Sequence, residues 1–306
     1  MKTGTQQENI GQLRAAGVPM AWNKKYWDIH DQLYWSPRYL GLKSIPKKKR
    51  VESEALISVP REFVRPGGSL YTREYKASEL REYLHTQEEI LNHIFNITFA
   101  IAPDALVREV LVEVMGFIDQ GSFESLGREV KYRYGWGESE NVVQHDGLFV
   151  SEATALGVEI KLQSDSSPEQ IAKYVALLTW EELHSGRKSQ LGLLFVMPEQ
   201  ALRKLWWKKC GLQGPEIDET FFEVARTLKL PTRVSSIFAE NPEAVRSVLR
   251  RMVLCGTSWR DLYDSLRAIK DRLDPSQAGE QTLSRLIGGF LAQLEAHSHT
   301  GVSAAP

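Results

Sequence analysis

Residues 190–197, QLGLLFVM, are almost wholly apolar and lie between a helix-stopping Gly186 and Pro198. A run this short suits a strand, and its continuous apolarity suits one buried on both faces. Such a strand must be covered on both sides. This places the chain in the α/β class, with helices packed on a sheet.

Around this strand the apolar pattern changes period. Over residues 77–96, Leu80, Tyr83, Leu84, Ile90, Leu91 and Ile94 recur at helical steps. Pro103 suits the first residue of a second helix, expected to run to about Gln120 before Gly121. Val130, Tyr132 and Tyr134 then alternate with charged residues, which predicts a strand near 129–136. Two further short strands are expected at 145–150 and 157–162, joined by a loop, SEATAL. Pro168 opens a helix over IAKYVALLTWEELH, and another is expected over about 199–209. The order is helix, three strands, helix, strand, helix. Residues 216–296 read as helices separated by NPE, CGTS and DPSQAGE, and the tail 297–306 as disordered. The expected organisation is an N-terminal basic and aromatic extension (1–76), a core (77–215), a C-terminal helical region (216–296) and that tail.

Acidic and basic residues sit at suggestive places in this order. Asp146 lies in the second strand, and Glu159 and Lys161 lie in the third, one residue apart. Alternation puts Glu159 and Lys161 on one face and Val158, Ile160 and Leu162 on the other. If the two strands are neighbours, Asp146 lies beside Glu159. Paired carboxylates repel, and a hard divalent cation, Mg²⁺ or Mn²⁺, removes that penalty. A cation so held activates water and neutralises a phosphoryl oxygen, and Lys161 adds a fixed positive charge. The plainer readings are an ion pair on a solvated strand for Glu159 and Lys161, and hairpin chemistry for Asp146-Gly147. His145 points to the face opposite Asp146 and is not taken as a ligand.

Asp146, twelve residues, then Glu159-Ile160-Lys161 resembles the motif of the PD-(D/E)XK nuclease superfamily, and the surrounding element order is similar to its core. Nine residues on, Gln170-Ile171-Ala172-Lys173-Tyr174 resembles the Q-x-x-x-Y motif of the RecB-like exonuclease branch. Gln170 and Tyr174 share a helix face, which an ordinary amphipathic helix would also explain. His145 stands where the superfamily usually has proline. The resemblance covers about 105 of the 306 residues. It implies a restriction-endonuclease-like core and metal-dependent hydrolysis of phosphodiester bonds, with DNA as substrate. It implies Asp146, Glu159 and the Ile160 carbonyl as metal ligands, Lys161 as the charge-stabilising residue, and Gln170 and Tyr174 beside them. It also implies an acid from the preceding helix. Glu109, nearer the middle of that helix, is chosen over Glu113, with Glu124 as a third candidate. A non-catalytic nucleic-acid-binding or assembly protein is the alternative.

Charge is unevenly spread. The chain carries a formal net charge of −1, yet residues 22–50 alone carry +6. Lys47, Lys48, Lys49 and Arg50 are the candidate nucleic-acid contacts, although the run also resembles a nuclear import signal or a solvated linker. Six Trp and Tyr over residues 22–39 suit a small aromatic core better than base stacking. The C-terminal helices are a candidate surface for a protein partner.

Other classes are excluded by what is missing. Two cysteines, Cys210 and Cys255, cannot build a disulfide scaffold or a four-cysteine iron–sulfur cluster. No phosphate-binding P-loop or dinucleotide fingerprint occurs, so no nucleotide cofactor is expected. No apolar run approaches a membrane span, and the first residues carry no secretory h-region. A cytoplasmic location is expected, or a nuclear one in a eukaryote.

Overall fold

The structure is a computed structural model that describes residues 43–44, 56–60, 72–76, 88–126, 143, 145–162, 166–204, 206–297 and 299–302. The chain divides into two units, Met1–Glu74 and Tyr75–Pro306. The described residues of the first comprise β1 (Lys43–Ser44), β2 (Leu56–Pro60) and the start of β3 (Thr72–Lys76), strands of one three-stranded sheet in which β1 and β2 are antiparallel. The aromatic cluster at 22–39, the basic run at 47–50 and the strand expected at 129–136 lie outside the described residues.

The second unit is α/β. It opens with α1 (Glu88–Ala100), followed by α2 (Asp104–Val107). The chain coils on after α2 through a wider π turn, Arg108–Val112, and a tight 3₁₀ turn, Glu113–Met115. The coil expected to reach Gln120 stops there, because Gly116 turns left-handed at φ 73° and reverses the chain. Among the described residues, four more sheet strands follow the short β4 (Glu124–Ser125): β5 (Gly147–Val150), β6 (Thr154–Ile160), β7 (Gln190–Met197) and, much later, β8 (Met252–Ser258). Between β6 and β7 runs α3 (Pro168–Ser185). Between β7 and β8 lie five helices: α4 (Glu199–Arg203), α5 (Trp206–Lys209), α6 (Thr220–Thr227), α7 (Thr232–Glu240) and α8 (Pro242–Leu249). The second unit closes with α9 (Trp259–Arg272) and α10 (Ala278–Ala296).

The sheet order is β4-β5-β6-β7-β8. The first two pairings are antiparallel, and β6-β7 and β7-β8 are parallel. Apolar residues on both faces dictate two helical layers. Leu148, Ala155, Leu193, Phe195 and Leu254 share one cluster with α3 and with the inner faces of α6 to α8. On the other face Phe149 meets Phe95 and Phe99 of α1, which also meet Phe290 of α10. Among the described residues, no helix is long and apolar enough to cross a membrane.

Four expectations are corrected. The SEATAL loop is shorter, because Ser151 Oγ accepts from the Ala153 and Thr154 amides and closes a tight turn, so β6 begins at Thr154. The helix expected over 199–209 is two short pieces, α4 and α5. CGTS does lie between two helices, α8 and α9, but it is strand: it forms the end of β8, seven residues paired in register with β7 from Leu191↔Met252 to Met197↔Ser258. The sheet therefore draws on the region expected to be only helical. The tail is packed as far as Val302, since the Thr300 hydroxyl bonds the Leu294 and His297 carbonyls, and Thr300 and Val302 are buried.

Candidate active site

β5 and β6 pair with Gly147 opposite Val158. One step further, Asp146 and Glu159 fall opposite each other, and residues opposite in an antiparallel pair share a face. This is the carboxyl end of β6, beside the carboxyl end of β7, where open α/β sheets place their ligands. Lys161 follows β6 directly. Its amide donates to the Val196 carbonyl at 2.8 Å and its carbonyl accepts from the Trp259 indole at 3.0 Å. Both main-chain groups of Lys161 are thus fixed by neighbouring elements. Its ammonium lies 2.6 Å from Glu159 Oε1, and both side chains are buried.

The helix α3 is built to hold Glu159. Pro168 at its first turn presets the backbone, and the Ser167 amide donates to Gln170 Oε1 at 3.2 Å. The Gln170 side chain is thereby oriented, and its amide donates to Glu159 Oε1. One turn on, the Tyr174 hydroxyl reaches both Glu159 Oε2 and the Val158 carbonyl at 2.7 Å, and accepts from the Asp146 amide at 3.2 Å. A single phenol thus ties the two acidic positions together. Burial, and then the charges of Glu159 and Asp146, push the Tyr174 phenol well above its ordinary value. It stays protonated and remains a donor. The ring lies over Gly157, where an added Cβ would stand 2.7 Å from Tyr174 Cδ1. Only glycine leaves room for it.

Asp146 is held from the other layer. Asn92 of α1 donates to Asp146 Oδ1, the Ile160 amide donates to Oδ2 at 2.8 Å, and Asn96 donates to the Asp146 carbonyl. Sequence reasoning missed Asn92 and Asn96. The signal was present: two asparagines four apart on a helix whose other inward residues are Leu91, Ile94, Phe95, Phe99 and Thr98, the last satisfied by the helix's own Ile94 carbonyl.

The structure brings together Asp146, Glu159, Ile160, Lys161, Gln170 and Tyr174. It does not bring Glu109. That carboxylate is half-exposed and ion-paired with Arg272 of α9. Glu113 is exposed, and Glu124 sits opposite Val150 at the far end of β5. Among the described residues, no third His, Cys, Asp or Glu joins the pair. Among the described residues, the helix that reaches the Asp146 carboxylate is α1, and it contributes the Asn92 amide. The remaining donors are two carboxylates and a main-chain carbonyl, all hard oxygens, which fit Mg²⁺ or Mn²⁺ rather than a soft metal. Glu159 is buried and Asp146 half-buried, and a divalent cation held between them would offset their mutual repulsion.

Nearby, burial pushes the Cys210 thiol up to about 12, so it is an inert core residue and no nucleophile. Lys47, Lys48, Lys49 and Arg50 lie outside the described residues. No family model matches this chain, nor does any curated protein or solved structure.

Proposed function

We propose that the protein is a metal-dependent nuclease that hydrolyses phosphodiester bonds, with DNA as its substrate and a core of restriction-endonuclease-like type. The observation that carries this reading is the side-by-side placement of Asp146 and Glu159, with Lys161 on Glu159 and Gln170 and Tyr174 clamping it from α3.

A cation held by Asp146, Glu159 and the Ile160 carbonyl would supply charge neutralisation and a water of lowered pKa. The chain supplies the rest. Lys161, fixed at both main-chain groups, places a positive charge where a phosphoryl oxygen gains negative charge, and orients the attacking water. Gln170 and Tyr174 hold the Glu159 carboxylate in one rotamer, so no reorganisation is needed at the moment of attack. Asn92 and the Ile160 amide do the same for Asp146. Glu109 has no role in this scheme.

The test is a cleavage assay on linear, circular and single-stranded DNA with Mg²⁺, Mn²⁺ or EDTA. Wild-type protein is compared with D146N, E159Q and K161A. Cutting that needs metal and vanishes in all three variants is expected, and the circular substrate separates internal from terminal cutting. A folded wild-type protein that cuts nothing would overturn the reading and favour a nucleic-acid-binding role without chemistry.

A further inference from the structure

Asp146 is positioned from further back than the groups that bond its carboxylate. Asn92 and Asn96 lie one turn apart on α1. Asn96 Nδ2 meets three oxygens: the Asn92 main-chain carbonyl at 2.9 Å, Asn92 Oδ1 at 2.5 Å and the Asp146 main-chain carbonyl. Asn92 Nδ2 in turn lies 2.5 Å from Asp146 Oδ1. The sense of both amides follows from elementary chemistry. A main-chain carbonyl only accepts, so the end of Asn96 that meets two of them is its NH₂. The end of Asn92 that meets this NH₂ is then its oxygen, and the NH₂ of Asn92 is turned to Asp146. The arrangement has a cost. Among the described residues, the buried Asn96 Oδ1 has no hydrogen-bond partner, and such a group calls for a reason. Turning the Asn96 amide over would set that oxygen against two carbonyl oxygens instead.

We infer that Asn96, which bonds neither carboxylate, is a positioning residue for the metal site: it fixes the sense of the Asn92 amide, and through it the rotamer in which Asp146 meets the cation. The inference rests on the metal-binding part of the nuclease reading. With Asn96 in place, Asn92 donates to Asp146 Oδ1 while the Ile160 amide donates to Oδ2, so the carboxylate plane is held at both oxygens. The same Asn96 amide holds the main chain of Asp146 through its carbonyl. Removing Asn96 frees the Asn92 amide to turn. Its oxygen then faces the Asp146 carboxylate, the two repel, and the ligand loses its fixed direction.

The test is calorimetric titration of Mn²⁺ into the whole protein without DNA, followed by the cleavage assay on the same preparations. N96A and N92A should each weaken Mn²⁺ binding about tenfold, the usual effect of removing a group that orients a metal ligand. The N92A/N96A double variant should stay within about threefold of N92A, because Asn96 acts through Asn92. N96L, which fills the space that N96A empties, should bind Mn²⁺ as weakly as N96A, so the outcome does not hang on the folding of one variant. T98V removes a buried hydroxyl from the same helix, one whose bond stays within the helix at the Ile94 carbonyl. It should leave Mn²⁺ affinity at the wild-type value, whatever it does to stability. Wild-type affinity in N96A and N96L would overturn the inference and leave the nuclease reading standing if the protein still cuts. Single effects that multiply to about a hundredfold in the double variant, or a wild-type protein that binds no Mn²⁺, would overturn it as well. A wild-type protein that binds Mn²⁺, binds it weakly as N96A and cuts no DNA would keep the inference and sink the nuclease reading.

Discussion

At the carboxyl ends of β6 and β7, two carboxylates lie side by side, one of them on the Lys161 ammonium. At the amino ends of β6, β7 and β8, a second polar network joins acids to cations and to main chain. There Arg251 grips Glu182 with both terminal nitrogens and donates to the Lys188 carbonyl at 2.6 Å. Lys188 in turn donates from its ammonium to the Ser151 carbonyl at 2.7 Å, and Asp119 accepts from Ser151 and the Gly121 amide. Its acids, Asp119 and Glu182, lie among Arg108, Lys188 and Arg251, and its bonds end largely on main chain. Burial of polar groups alone therefore marks no site in this protein. What marks the carboxyl end is two carboxylates brought side by side and held in place by amides and a phenol.

The largest expected effects break the carboxyl end. D146N, E159Q and K161A should each lower the cleavage rate at least about a thousandfold, some 4 kcal/mol of transition-state stabilisation. Metal should distinguish the two networks without any substrate. Added Mg²⁺ should raise the thermal midpoint of wild-type protein and of D119N, because a cation bound only by the folded state stabilises it. In D146N the midpoint should not move. Equal Mg²⁺ shifts in D119N and D146N would erase the contrast between the two ends.

Breaking the amino end should cost stability and spare chemistry. Arg251→Ala strands Glu182 in a largely buried place and should destabilise the fold by about 3 kcal/mol, read by denaturant unfolding. The cleavage rate per folded molecule should stay at the wild-type value. Gly157→Ala crosses the boundary between the two classes. Its new methyl displaces the Tyr174 ring, so it should cost about 1–3 kcal/mol through overpacking and lower the cleavage rate as Glu159 loses its clamp. Tyr174→Phe removes only the hydroxyl, for about 1 kcal/mol. Because the phenol is held well above its ordinary value of 10.0, the pH–rate profiles of wild type and Y174F should have the same shape below pH 10. An alkaline limb that vanished in Y174F would contradict this.

The legible parts of the molecule were those with local signals. β7 was written in its unbroken apolar run and α3 in its proline, its stop and its period. Asp146, Glu159, Lys161, Gln170 and Tyr174 could be grouped because the strands and the helix that position them were readable, although Asp146 lies one residue before β5 and Lys161 one after β6, not within the strands as expected. What escaped depends on partners far along the chain. Asn92 reaches Asp146 across 54 positions, and no local pattern says which carboxylate a helical amide will meet. β8 pairs in parallel with a strand more than fifty residues earlier, and Cys255-Gly256-Thr257-Ser258 looks like a turn between helices until that pairing is known. Glu109 was misplaced for the same reason. Two helical segments precede the main strands, and which of them lies on Asp146 is a matter of packing. The later one sends Glu109 to Arg272, 163 positions on.

The finest test of the comparison is a titration at the amino end. Burial by itself would raise the Asp119 carboxyl, but hydrogen bonds from Ser151, Thr154 and the Gly121 amide, with the Arg108 charge, outweigh it, and the net shift is downward. A carboxyl lowered on folding adds stability above its unfolded value and loses it as pH falls through the folded one. Wild type should therefore exceed Asp119→Asn by about 1 kcal/mol at neutral pH. The gap should narrow from about pH 4 downward, as wild type takes up the proton that Asn mimics. Denaturant unfolding at several pH values reads this directly. A gap that does not change with pH would mean that Asp119 acts through shape and neutral hydrogen bonds alone. In that case the charge of Asp119 would not be what holds the amino end of the sheet together.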